Sequence, residues 1–352
     1  MAKQKYPMLQ HILDHPELRA EFSKDDPAAN DAKRRAHNSG IWAILLAFIS
    51  LGVATTAPIW NDLPRYWPVV LTLLASAVGI ISLLLIRMGL LHGPKKIEWL
   101  RKRLRTERLR QFFFQELVCR IPEIEESIKN GAKGKQQYKV QRASWFKSFL
   151  SEYSENRWLD AKMSAITDPH ICADPWLHPA TGLSKLPDPD ICEAIFGAYH
   201  ELRLKGQLNY ANRKLQRDSG NLNFFRMSLL EKRRFLKFIW WFSFASLVVL
   251  EAFSVVAALM NREFTQADWP HMFIICLALA AIAARAMEHG MALPAEIERY
   301  SSYRAEVTCI LNRFDNATAL RDKIRLMQEM EEVTFEEMRR FLRQNSEASF
   351  VM

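Results

Sequence analysis

The chain reads as a mainly α membrane protein, with four transmembrane helices in two hairpins, a helical cytoplasmic insert between the hairpins and a long amphipathic C-terminal helix. Three features of the sequence predict this. Long uncharged apolar runs come in two closely spaced pairs, the polar stretches repeat apolar residues every three or four positions, and no run reads clearly as a strand. Over 352 residues the mean hydropathy of −0.13 is close to that of a soluble protein only because apolar spans and charged stretches offset one another.

The first forty residues lack the apolar core of a cleavable signal peptide, so the first span is expected to direct insertion itself. Ile41 to Trp60 and Val69 to Ile86 carry no charge. At ~1.5 Å per residue each is about long enough to cross a hydrocarbon core of ~30 Å. Residues 61–68 leave room only for a tight connection between them. Ile97 to Glu116 then repeats apolar residues such as Leu100, Leu104 and Phe112 at helical spacing, and that helix should stop before Pro122. A second helix is expected over Ser144 to Met163, with Trp145, Phe149 and Tyr153 on one stripe. Residues 167–189 hold Pro169, Pro175, Pro179, Pro187 and Pro189 and read as a loop. Ile191 to Leu215 resumes a helix that leads toward the third span.

Phe238 to Met260 is that span, interrupted only by Glu251. His271 to Ala284 begins the fourth, which reaches Leu293 if Arg285 and Glu288 are accommodated. After it, Ile297, Tyr300, Val307, Ile310, Phe314, Ile324, Met327, Phe335, Met338 and Phe341 recur at helical spacing. They describe one long amphipathic helix of roughly 70 Å, or two helices broken near Phe314 to Thr318. The stripe needs a cover, either the chain's own insert or the tail of another protomer. The expected division is therefore an N-terminal cytoplasmic segment (1–40), a first hairpin (41–91), a basic helical domain (92–237), a second hairpin (238–293) and a helical tail (294–352).

Charge sets the orientation. Residues 95–110 hold eight Lys and Arg against two Glu, and residues 226–237 hold five against one. The two connections between paired spans hold one Arg each, Arg65 and Arg262. By the positive-inside bias, both termini and the insert of this multi-pass chain are expected to be cytoplasmic. Contact with anionic lipid headgroups accounts for the basic residues beside the spans. It does not account for KNGAKGKQQYKVQR, residues 129–142, which lies well away from either span in sequence. There a glycine-containing basic loop would let Lys133, Lys135, Lys139 and Arg142 approach a phosphate-bearing ligand, or would simply be a solvated loop.

Five cysteines with no CxxC pair do not make a disulfide framework, and structural disulfides are not expected on the cytoplasmic side. His170, Cys172, His178 and Cys192 could supply four zinc ligands, but their spacing matches no common zinc module and no metal site is expected. No Walker motif or GxGxxG occurs. The nine histidines pair with no convincing nucleophile, and no catalytic arrangement or cofactor is expected.

In AYHELRLKGQLNYANRKLQRDSG, residues 198–220, the residues Tyr199, Arg203, Leu204, Gln207 and Tyr210 form an aromatic, Arg-Leu, Gln, aromatic pattern ahead of a transmembrane pair. This resembles the SLATT family and related four-span effectors associated with nucleotidyltransferase-based bacterial defence. The tail residues Tyr300, Glu306, Phe314, Glu329 and Glu332 are also similar to that group, and the resemblance covers residues 199 to 345. It implies an oligomeric pore-forming effector of antiphage defence, acting by abortive infection. The implied partner is a nucleotidyltransferase, or the nucleotide or oligonucleotide it makes. Read by spacing alone, Arg203, Gln207 and Tyr210 share one helix face. Two readings of that face stay open: ligand binding, or an interhelical hydrogen-bond network.

Glu251 is the last open question. A carboxylate at mid-bilayer depth costs about 2.5–3.5 kcal/mol, so it normally faces protein or water. On the functional reading, Glu251, Phe244, Leu247 and Ser254 line a path through an oligomer and the carboxylates favour cations. The rival pairs Glu251 with Ser50, Thr55, Thr72 or Ser76, holds it neutral in a packed bundle, or joins it to Arg285. A non-conducting scaffold anchored in the membrane is the alternative for the whole protein.

Overall fold

The computed structural model describes residues 5–56, 64, 66–89, 93–153, 166, 168, 174, 176–177, 187–216, 224, 227–259 and 268–347. Among them there are helices and turns and no strand. In chain order they are a 3-10 turn at Pro7–Leu9, α1 (Gln10–Leu13), α2 (Pro16–Thr55), α3 (Tyr66–Gly89), α4 (Gly93–Cys119), α5 (Ile121–Lys129), α6 (Gly131–Tyr153), α7 (Pro189–Tyr199), a π-helical turn (His200–Leu204), α8 (Lys205–Leu215), α9 (Leu229–Leu259), α10 (Asp268–Gly290), α11 (Leu293–Asn316) and α12 (Leu320–Glu347).

Three of these bear on what the sequence suggested. Residues 16–40, expected as part of an N-terminal segment, are the first 25 residues of the 40-residue α2, which holds Pro27 within it. The stretch 129–142 is no loop. Asn130 and Gly131, the latter at φ 58°, make a tight break, and α6 starts at once. Gly134 explains the other glycine: a Cβ there would lie 2.7 Å from Asn130 Cβ and 2.9 Å from Ser127 O, so α6 packs onto the end of α5 only without a side chain at that position. The tail is two helices, α11 and α12, broken at residues 317–319.

The chain forms two compact units. The first gathers Met1–Asp31, Ile97–Leu215 and Glu298–Glu347, so that the N-terminal segment, the insert and the tail share one core. Leu9 and Ile12 from the N-terminus, Leu117 and Ile124 from the insert, and Val307, Met327 and Met330 from the tail all lie in it. The apolar stripe of the tail is thus covered by its own chain.

The second unit comprises Ala32–Lys96, Gln216–Ile297 and Ala348–Met352. Helices within Pro16–Thr55, Tyr66–Leu85, Leu229–Val256 and Pro270–Asn316 are long and apolar enough to cross a bilayer. Small residues join the first two: Ser50 Oγ donates to Ala75 O at 2.8 Å and Ser82 Oγ to Ala43 O at 2.7 Å, and Gly79 faces Ser50. Helix α9 opens on a capping box, in which Ser228 N–H donates to Glu231 Oε2 and Glu231 N–H to Ser228 Oγ, and it packs against α10. Ile41, Leu236, Ala284, Met287, Met291 and Leu293 form a small core. Most other apolar side chains stay uncovered, and only 6% of the apolar window of Leu229–Val256 is buried within the chain.

Candidate functional site: a basic-walled cleft and a carboxylate on an apolar helix

In the first unit a cleft of about 430 Å³ opens between the N-terminal segment and α6. Lys135, Lys139 and Arg142 come together on one wall, at positions one turn apart; Gln10, Asp14 and Glu17 stand among the groups on the other. Lys133, expected to join them, is exposed but does not line the cleft. Lys135 and Lys139 are also exposed.

Arg142 is buried and already engaged: its Nη1 donates to His11 O and Ile12 O, and its Nη2 to Asp14 O, each at 3.0 Å. It ties the end of α1 to α6. His11 lies under the cleft with its Nε2 2.8 Å from Ser127 Oγ. Burial, then the nearby Lys135, Arg142 and Lys139 charges, push the His11 imidazole down to about 4. Burial and Arg142 push His15 to about 3. Beside this corner, burial pushes Glu116 up to about 8, and its Oε1 meets no hydrogen-bond partner among the described residues.

The polar face of residues 199–210 is occupied by the tail. Arg203 Nε donates to Glu331 Oε1 at 2.8 Å and Nη2 to Glu331 Oε2 at 2.6 Å. Tyr199 OH donates to the same carboxylate at 2.6 Å. The whole group is buried. Gln207 Oε1 accepts from Tyr303 OH at 3.0 Å, and Tyr210 OH sits 3.3 Å from Tyr300 OH. The π turn carries Arg203 into this position, so Arg203 and Gln207 spend their hydrogen bonds on helices α11 and α12. Of the two readings of this face, the hydrogen bonds are those of an interhelical network, with partners more than 90 residues away in sequence.

The basic run of α4 is largely neutralised inside the same unit. Arg105 pairs with Glu21 at 2.6 Å and Asp25 at 3.3 Å, and Arg110 with Asp26 at 2.9 Å. Arg108 forms a fully buried two-point pair with Asp174 at 2.6 and 2.8 Å. Asp174 belongs to the stretch considered for zinc. His170, Cys172 and His178 lie outside the described residues, Cys192 is buried in the core, and the described residues include no group suited to a metal ion.

In the second unit, Phe244, Leu247, Glu251 and Ser254 follow one another along α9 at spacings of three, four and three, hence on one face. Phe244 and Glu251 are exposed, Leu247 and Ser254 half-buried. Four of the five groups expected as partners of Glu251 are engaged elsewhere. Ser50, Thr55 and Thr72 donate to the backbone carbonyls of Ala75, Gly52 and Pro68. Arg285 pairs with Glu288 at 3.0 Å and lies 4.3 Å over the Trp240 ring, while Arg233 approaches Glu288 at 3.5 Å. This network is how the fourth apolar helix accommodates its two charges. Glu251 itself meets no hydrogen-bond or ion-pair partner among the described residues.

Comparison with protein-family models, with curated proteins and with solved structures finds no match to this chain.

Proposed function

We propose that this chain is an oligomeric channel or pore-forming effector of a bacterial inner membrane, with its four apolar helices crossing as two hairpins and both termini in the cytoplasm. The observation that carries the reading is Glu251, an exposed carboxylate on a helix whose surroundings are apolar and uncovered. Lipid is the worst environment for that group, at about 2.5–3.5 kcal/mol. Water in a path between protomers is a better one, and a ring of carboxylates there favours cations. Phe244, Leu247 and Ser254 share the face and would flank the path. The first unit would act as the cytoplasmic sensor, with Lys135 and Lys139 receiving a nucleotide signal and the resemblance to SLATT effectors supplying its setting, a nucleotidyltransferase-linked antiphage response that ends in growth arrest.

The non-conducting scaffold has less to rest on, because the tail's apolar stripe is already covered by its own chain. The test is membrane potential in bacteria expressing the chain, wild type beside Glu251→Gln, with phage challenge and the partner genes present. Depolarisation that Glu251→Gln weakens at equal membrane abundance supports the pore; no depolarisation under any condition returns the scaffold.

A further inference from the structure

The cleft over α6 has two chemically different walls, and that asymmetry narrows what fits it. On one side Lys135 and Lys139 stand a helical turn apart with their ammonium groups exposed, and neither meets an acid among the described residues. On the other, Asp14 and Glu17 offer carboxylate acceptors and Gln10 an amide. Asp14 has a basic neighbour of its own, Arg19 at 3.6 Å, outside the cleft lining. The two walls are held in place without a ligand, since Arg142 fastens three carbonyls of the N-terminal segment to α6. A preformed site loses less in ordering when it binds. Its volume, about 430 Å³, lies within the usual range for small-molecule pockets.

A simple anion would meet the lysines but would also face two carboxylates. A simple cation would meet the reverse. A solute with an anionic end and a donor-bearing end satisfies both walls. Lysine serves phosphate as a point charge, and hydroxyl or amino groups donate to carboxylates.

We propose that this cleft binds a phosphorylated solute, with its phosphate oxygens on Lys135 and Lys139 and its hydroxyl or amino groups toward Asp14 and Glu17. The inference deepens the ligand-sensing half of the proposed function and rests on that half, not on conduction. In this site Arg142 is a positioning residue. A free metabolite and a lipid headgroup share the chemistry.

The experiment uses the full chain in phosphatidylcholine nanodiscs, titrated calorimetrically with glycerol 3-phosphate and with inorganic phosphate. Glycerol 3-phosphate is expected to bind with a Kd of about 1 mM or tighter, and more tightly than inorganic phosphate. Lys139→Gln should weaken it about tenfold, the loss of one charge-assisted contact. Lys135→Gln with Lys139→Gln should abolish it. Lys147→Gln, on the exposed surface of the same helix but outside the cleft, should leave it unchanged. Asp14→Asn should erase the preference over inorganic phosphate. Repeating the titration in phosphatidylglycerol nanodiscs separates the sources: weakening by tenfold or more assigns the cleft to a lipid headgroup, and an unchanged Kd assigns it to a soluble solute, each supporting the phosphate chemistry. No binding at 10 mM (about ten times the expected Kd), or equal weakening by Lys147→Gln and Lys139→Gln, overturns the proposal. Binding that survives in a protein shown not to conduct would remove the pore and keep the cleft.

Discussion

Glu331 and Glu251 are the same side chain in opposite circumstances. Glu331 is wholly buried in the first unit and accepts from Arg203 twice and from Tyr199 once. Glu251 is exposed on α9 and meets no partner among the described residues. The contrast extends to their units. In the first, even the basic helix α4 finds its counter-charges at Glu21, Asp25, Asp26 and Asp174. In the second, aromatic and aliphatic side chains such as Phe242, Val249 and Leu259 remain uncovered. One half of the molecule is completed by its own chain, whereas the other is completed only by what surrounds it.

The largest effect expected from breaking this contrast is at Glu331. Glu331→Ala leaves the Arg203 guanidinium buried without its counter-ion, a loss of about 3–5 kcal/mol. Thermal unfolding of the detergent-solubilised protein should show it, while Glu251→Gln in the same assay should stay within about 0.5 kcal/mol of wild type. Equal destabilisation by the two would erase the distinction.

Next is Arg142. Arg142→Ala removes three donors from carbonyls at the end of α1, and about 2 kcal/mol of local stability should go with them. Hydrogen exchange should speed up first in residues 7–15, with the core around Met327 and Met330 protected as before. Uniform acceleration across the unit would mean that Arg142 supports the whole fold and not one corner.

The same corner should give the first unit a characteristic pH response. His11 and His15 titrate near 4 and 3 in the fold against an ordinary 6.5, so the unfolded chain takes up protons first as pH falls. Their contribution is complete above 6.5 and is lost progressively below it. Glu116, pushed up to about 8 from an ordinary 4.5, works the other way: the fold holds the proton, and its contribution fades as pH rises from 4.5 through 8. Between about pH 4.5 and 6.5 the two histidines outweigh the one carboxyl, and above 6.5 only the carboxyl counts, so stability at this corner should peak near pH 6.5. Glu116→Gln should flatten the fall above pH 6.5 and steepen the rise below it, as read from unfolding midpoints at a series of pH values.

How much of this could be read in the sequence depended on the range of the interaction. The apolar spans were legible because continuous uncharged runs such as Val69 to Ile86 need no partner to identify them. The face of Arg203, Gln207 and Tyr210 was legible as a face, yet its occupant was not, because Glu331 and Tyr303 are distant in sequence. The charges of α4 suggested lipid headgroups, since nothing local indicated that α2 would bring up an acidic row. Glycines at 131 and 134 suggested a ligand loop, but they serve a left-handed turn and a close helix contact. The cleft needed two segments more than 100 residues apart, and only Lys135, Lys139 and Arg142 of its lining could be singled out beforehand.

The most direct test of the difference between the two halves is ion flux through purified protein in liposomes. Wild type and Glu251→Gln would be compared at equal incorporated mass, with potassium release as the readout. Potassium release by wild type that Glu251→Gln cuts about tenfold is the expected result, placing the carboxylate on a water-filled path. Equal release from both proteins, or none from either under conditions where the chain is inserted and folded, would contradict it.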